Sequence, residues 1–455
     1  MIQAGKMEKL MEKKIFTSII AIFLVTALAG CNLGNAATGN TGSTATQAEV
    51  IFQVSLPSAI PATSGVVLEI LDEVTGLAFN PTRYQMQPVT ATTFFVRVNL
   101  LVNSVVKYRF SRLDTITVPE YTTDNHPVRY RLYQVAGPVI IQDTVAAWMD
   151  QPYSSQTGRL QGKIIDGNSN PVSGMIVSIC GVSTLTASDG TYQIENIIPG
   201  THNLVALSPT GTYNTFQKGA VIAANATTPA DFSVSMNPSA NITFVVNLPA
   251  LDYSVSKLRL IGSLAQLGNT FQDMDGGFSV LPANAPVLGR LSDQQYAVTL
   301  ALPVGTYIEY KYSLGDGFWN AEHDSTGSFN LHKLVVPAKD TIITDKVDNW
   351  GKGTNAAITF TVQVPASTAP TDFISLQLNP FTWTTPIPMW NVGNNIWSYV
   401  LYSPLDIVGQ MSYRYCRNDL CGALDTTPIG SKYSSSGKEF TPSPTPQTFT
   451  DIISE

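Results

Sequence analysis

Charge is scarce in this chain: only 13% of its 455 residues are Asp, Glu, Lys or Arg, with a formal balance of -7 at pH 7. No basic cluster follows the first residues, so there is no face to neutralise phosphates, and no nucleic-acid partner is expected. Histidine and cysteine number four each, and none stand at zinc-ligand spacing. Glu322-His323-Asp324 reads as a polar loop, and Asp273-Met-Asp275-Gly-Gly lacks the other ligands of a calcium loop. No metal or other cofactor is expected. Glycoside hydrolysis needs two carboxylates at a set separation. Here the acids are scattered, several as Asp-Gly turn formers such as Asp189, Asp275 and Asp316. Gly-x-Ser-x-Gly is missing, and His126, His202, His323 and His332 lack a triad context. The expectation is a protein that is not an enzyme.

What is present begins at the N-terminus. Lys13 and Lys14 precede an apolar run from Ile15 to Leu28, too short to span a bilayer and suited to a signal-peptide core. It ends Leu28-Ala-Gly-Cys31, which resembles the lipobox of bacterial lipoproteins. The resemblance implies removal of residues 1–30, acylation of Cys31 and an extracytoplasmic protein lipid-anchored to the cell envelope, facing the surface. Two or more acyl chains anchor stably where one does not. Residues 31–48, rich in Gly, Ala, Thr, Ser and Asn, read as a flexible tether. In an oxidising compartment Cys416 and Cys421 are placed to close a small disulfide loop. Cys180, alternating with Val177 and Ile179, reads as a buried thiol.

The body of the chain repeats itself. Val50-Ile-Phe-Gln-Val-Ser-Leu-Pro57, Ile242-Thr-Phe-Val-Val-Asn-Leu-Pro249 and Ile358-Thr-Phe-Thr-Val-Gln-Val-Pro365 open three copies. Each proceeds to a basic-aromatic strand: Lys107-Tyr-Arg-Phe110, Tyr310-Lys-Tyr312 and Tyr413-Arg-Tyr415. Each closes on an Asp: Asp143 and Asp345 lead to Trp148 and Trp350, whereas Asp451 leads only to Glu455. A period of roughly 100 residues is that of a β-sandwich, not of a solenoid. The fold class is therefore all-β, a tandem array of four immunoglobulin-like or transthyretin-like sandwiches. The expected domains are 49–150, 157–237, 240–351 and 356–455, the last one truncated or followed by more protein.

Residues 157–237 break the repeat. Asn170-Pro-Val-Ser-Gly174, Thr186-Ala-Ser-Asp-Gly-Thr-Tyr192 and Asn196-Ile-Ile-Pro-Gly200 punctuate short strands with tight turns. This segment resembles the carboxypeptidase-regulatory-like, transthyretin-related sandwich, which implies a spacer without chemistry. His202 reads as a solvated strand residue.

Residues Leu260-Ile-Gly-Ser-Leu-Ala-Gln-Leu-Gly-Asn269, Val298-Thr-Leu-Ala-Leu-Pro-Val-Gly305, Ile308-Glu-Tyr-Lys-Tyr312 and Gly315-Asp-Gly-Phe-Trp-Asn-Ala-Glu322 follow in order. Together they resemble the starch-binding module of glucoamylases. That resemblance implies a sugar site with Lys311 on the strand, Trp319 as an exposed platform and Glu322 beside it. A sugar's C–H face stacks on such a ring while charged groups bond its hydroxyls. The module's first Trp would follow Asn269, where this chain has Thr270 and Phe271, so Phe271 is the candidate substitute. In the last repeat Trp383 and Trp390 hold the corresponding loop, and Trp397 reads as core.

The function expected is a non-catalytic surface lipoprotein that holds an α-glucan polysaccharide, with its membrane contact made by the lipid. The alternatives are a structural or adhesive surface spacer and the targeting arm of a larger glycoside hydrolase.

Overall fold

The computed structural model describes residues 46–453 except 62, 72–73, 75–81, 115–116, 251–257, 270–283, 315–318, 351–353, 381–382, 385, 403–408, 419 and 422–436. Cys31 and Phe271 lie outside these residues. Nearly all regular structure is strand, and the pairing falls into paired sheets within 47–148, 158–234, 239–346 and 358–452. The protein is a set of packed β-sandwiches.

Three of the four are built alike because their opening strands carry the same alternation. In Gln47–Ser55, Ser239–Asn247 and Ile358–Gln363, every second residue is apolar and fully buried: Val50, Phe52 and Val54; Ile242, Phe244 and Val246; Ile358, Phe360 and Val362. Each opening strand pairs antiparallel on one side, with Thr93–Leu101, Gln295–Pro303 or Ile396–Leu401. On its other side runs the closing strand, in parallel: Val139–Thr144, Thr341–Lys346 or Gln447–Ile452. The facing sheet carries the basic-aromatic strand, Val105–Leu113, Tyr307–Ser313 or Met411–Arg417. Across the core the buried Phe meets a Tyr edge-on in all three, Phe52 with Tyr108 at 4.9 Å, Phe244 with Tyr310 at 5.1 Å and Phe360 with Tyr413 at 4.9 Å. Burial of each such ring stabilises by roughly 1.5–3 kcal/mol, with more from the T-shaped contact.

The second sandwich centres on Gly158–Asp166, paired with Thr191–Ile197 and, in parallel, Thr227–Pro229. Glycine is needed at 162, where a Cβ would stand 2.2 Å from the Ala230 carbonyl oxygen, the acceptor of the Tyr192 hydroxyl. His202 departs from its reading as a solvated residue: it is 6% exposed, with Nε2 2.8 Å from the Ile198 carbonyl, and burial lowers its pKa. Cys180 is intermediate in exposure as a residue, yet burial pushes its thiol pKa far up. Cys416 and Cys421 stand opposite each other in an antiparallel ladder and are disulfide-bonded.

The sandwiches do not stand as separate beads. Leu71, Tyr130 and Leu132 of the first form a small core with Ile176 and Val205 of the second. Val74 of the first packs with Ile261 and Ala285 of the third, so the row folds back on itself. One continuous core joins the third and fourth.

Candidate functional site

The loop expected to present a sugar platform is instead the seat of a joint. Trp319 is 1% exposed and belongs to the core shared by the third and fourth sandwiches. Asn320, next in sequence, is fully buried and clamps the neighbouring sandwich. Its Nδ2 donates to the Val400 carbonyl at 2.6 Å and its Oδ1 accepts from the Tyr402 amide at 3.0 Å. Those two backbone groups lie on one side of a strand end, so the carboxamide bonds them as a neighbouring strand would. The fourth sandwich thus covers the loop, and the expectation of an exposed ring at Trp319 is corrected.

Lys311 and Glu322 are likewise interior, both with no exposed surface. Glu322 Oε1 accepts the Tyr312 amide at 2.9 Å, and its carboxylate also meets Asn330 Nδ2 at 3.1 Å and His332 Nε2 at 3.0 Å. The first sandwich repeats this arrangement. Glu120 accepts the Phe110 amide at 3.0 Å and is bound by Arg131 at 2.7 Å. Glu322 therefore occupies a framework position in the sandwich. The ammonium of Lys311 sits 4.9 Å over the Phe329 ring, a cation–π contact.

A second recurring device involves the closing Asp. The Tyr108 hydroxyl donates to Asp143 at 2.9 Å, and Arg131 Nη1 reaches the same carboxylate at 3.1 Å. In the third sandwich Tyr310 and Tyr312 donate to Asp345 at 2.9 and 2.8 Å, with His332 Nδ1 at 3.6 Å. In the fourth, Tyr413 and Tyr415 donate to Asp451 at 2.9 and 2.8 Å, and Lys438 pairs with it. Strand register makes the cations equivalent: Arg131, His332 and Lys438 stand opposite Tyr108, Tyr310 and Tyr413, the tyrosines that meet the core Phe of each sandwich. A buried carboxylate is tolerable only when paired and bonded in this way. Burial alone would lower the His332 pKa, but Glu322 and Asp345 raise it above the ordinary value. His323, bonded through Nδ1 to the Ala321 carbonyl, is driven by burial down to about 4.

Of the aromatic residues picked out in the fourth sandwich, Trp390 is 5% exposed, packed on Tyr399 at 5.5 Å because its strand pairs with Ile396–Leu401. Its reading as a platform is also corrected. Trp397 is partly buried against the core. Trp383 keeps a partly exposed ring. The guanidinium of Arg414 lies 4.1 Å from its centroid and donates through Nε to Gln377 Oε1 at 2.7 Å. Gly437 lets the ring approach, since a Cβ there would stand 2.7 Å from Trp383 Cη2. Among the described residues no group of three or more His, Cys, Asp or Glu is placed to hold a metal. No helix among them is long and apolar enough to cross a membrane.

No protein-family model and no curated protein matches the chain. Among solved structures it is similar to a Streptococcal ancillary pilin, 12% identical over 66% of this chain and 99% of that one, with a TM-score of 0.23. It is similar to the Bacillus anthracis TIE protein at 7% identity over 91% and 75% of the two chains, TM-score 0.18. A family 15 glucoamylase from Hypocrea jecorina is 18% identical over 27% of this chain and 20% of that one, TM-score 0.19. At such scores these likenesses carry no argument about function.

Proposed function

We propose that this protein is a non-catalytic surface protein, held outside the cytoplasm by a lipid on Cys31, whose sandwiches act as a stiff structural or adhesive support. The observation that carries the reading is the joint at Asn320. Sandwiches linked in one chain move against each other by default unless a large apolar interface fixes them. Here a shared core and a buried carboxamide clamp bind the third to the fourth. Apolar cores and paired amides do the same between the others. In this reading residues 157–237 are the carboxypeptidase-regulatory-like spacer, and 240–351 and 356–455 keep a starch-binding-like frame for its rigidity. Antibody labelling of intact cells that express the chain tests it. Wild type should be labelled on the cell, and Cys31→Ser should release the protein to the medium. Labelling only after cell lysis would overturn the reading.

A second reading, α-glucan binding, is favoured by Trp383. One of its faces rests on Arg414, and the ring remains partly open for a sugar. Native gels containing amylopectin test this directly: retardation of wild type, lost in Trp383→Ala, would support it.

A further inference from the structure

Where the first three sandwiches meet, they enclose a crevice of about 110 Å³. Asn103 and Gln134 come from the first, Tyr213 and Asn214 from the second, Thr306 and Tyr307 from the third. We propose that this crevice binds the end of a neutral oligosaccharide.

The walls are set before any ligand arrives. Gln134 and Gln217 exchange bonds across the first joint: the Gln134 amide donates to Gln217 Oε1 at 2.8 Å, and Gln217 Nε2 donates to the Gln134 carbonyl at 3.1 Å. The second and third sandwiches are bonded by the Ala265 amide to the Pro209 carbonyl at 3.0 Å and by Thr306 Oγ1 to the Gly211 carbonyl at 3.3 Å. Gly211 has φ +68°, and a Cβ there would stand 2.8 Å from Thr306, so the backbones meet at this corner as closely as glycine permits. The Asn214 carboxamide is oriented by the Ser235 amide, which donates to its Oδ1 at 2.6 Å. A pre-formed site spares a ligand much of the ordering cost of binding.

The lining chooses the ligand class. Amides and hydroxyls dominate, with two tyrosine rings, and Lys107 is the one charged lining residue. Its ammonium lies 4.3 Å over the Tyr130 ring in the joint with the second sandwich. An anionic ligand would call for more cations than this. Carboxamides and hydroxyls that both donate and accept match a ligand whose hydroxyls do the same, and a tyrosine face suits the C–H face of a sugar ring. The volume is below the roughly 300–1,000 Å³ of sites for drug-sized ligands, which points to one terminal ring. Lys107 and Tyr307 also line a second recess of about 170 Å³ between the first and third sandwiches, whose wall carries Glu309 and Lys333 as well. This inference goes beyond the support role proposed above and stands without it.

Saturation-transfer NMR on the full chain, with maltotriose, cellotriose and triacetylchitotriose as separate probes, tests the proposal. Tyr213→Ala removes a wall, Gln134→Trp fills the space, and Trp383→Ala removes the other candidate platform; a thermal melt establishes that each folds. At least one probe should bind wild type, bind at least about tenfold more weakly to a folded crevice variant, and bind Trp383→Ala unchanged. Transfer to none of the three probes by folded wild type would overturn the proposal. So would binding that survives every folded crevice variant, or that disappears with Trp383→Ala alone. If Tyr213→Ala does not fold, Gln134→Trp decides.

Discussion

The third sandwich holds a buried histidine, His323, and a partly buried one, His332, pulled in opposite directions, and together they give it a stability optimum near neutral pH. His323 has its pKa lowered to about 4 by burial, against an ordinary value of 6.5. Below 6.5 the unfolded chain takes up a proton that the folded one refuses until about pH 4. Stability therefore falls across that window. At about 1.4 kcal/mol per pKa unit, the gap corresponds to about 3 kcal/mol in all. His332 has the opposite sign. Its folded pKa is raised by Glu322 and Asp345, so its contribution is complete below 6.5 and is lost as pH rises through the folded value. Lys311 opposes both histidines' charged forms, and Asp324 favours that of His323.

The chain supplies its own control. Arg131 occupies the position of His332 in the first sandwich and keeps its charge throughout this range, and Lys438 stands there in the fourth. His332→Arg should abolish the alkaline limb, and His323→Gln should flatten the acid limb by about 2 kcal/mol between about pH 6.5 and 4.5. Calorimetry of the full chain at pH 4.5, 6.5 and 8.5 reads both. His202 of the second sandwich also has a lowered pKa, so each variant is compared with wild type at the same pH. Unchanged pH profiles in both variants would refute the reasoning. His332→Ala removes the cation between Glu322 and Asp345 but leaves their bonds to the Tyr312 amide, Asn330, Tyr310 and Tyr312, and should cost about 1–3 kcal/mol at pH 6.

Asn320→Ala removes both bonds of the clamp and leaves the Val400 carbonyl and Tyr402 amide without that partner, at a cost of about 1–3 kcal/mol. The check is that the third and fourth sandwiches, melting together in wild type, separate into two calorimetric transitions. Cys180 should resist iodoacetamide in the native protein at pH 8 and react only after denaturation, since burial holds the thiol protonated; mass spectrometry reads the label. Gly437→Ala should destabilise the fourth sandwich and displace the Trp383 ring, because φ there is +84° and the added Cβ would stand 2.5 Å from the Tyr413 carbonyl oxygen and 2.7 Å from Cη2; a lowered melting temperature with a changed tryptophan emission is the expected sign.

The strands were legible because alternation states which face is wet: Phe52, Phe244 and Phe360 each fall where a buried residue must. The clasp around Asp143, Asp345 and Asp451 was less so. Its Tyr and Asp recur in the repeat, but they lie on separate strands and the cation changes among Arg, His and Lys, so no shared motif marks the cation or joins the three. Trp319 shows a deeper limit. A tryptophan beside a lysine and a glutamate in a polar loop reads alike as a sugar platform or as the plug of a joint, because composition does not say what covers a loop. The decision lies with Asn320, whose side chain bonds the backbone of another sandwich some 80 residues on. An asparagine in a loop carries no sequence sign of that task; the buried, two-bonded carboxamide does. The same logic separates Trp383 from Trp390. Both precede the turn at Asn394-Asn395, yet Trp390 lies in a paired strand on Tyr399, while Trp383 lies outside the ladder, supported by Arg414 on one face. Strand pairing decides which ring is enclosed, and pairing is a property of the assembled sheet.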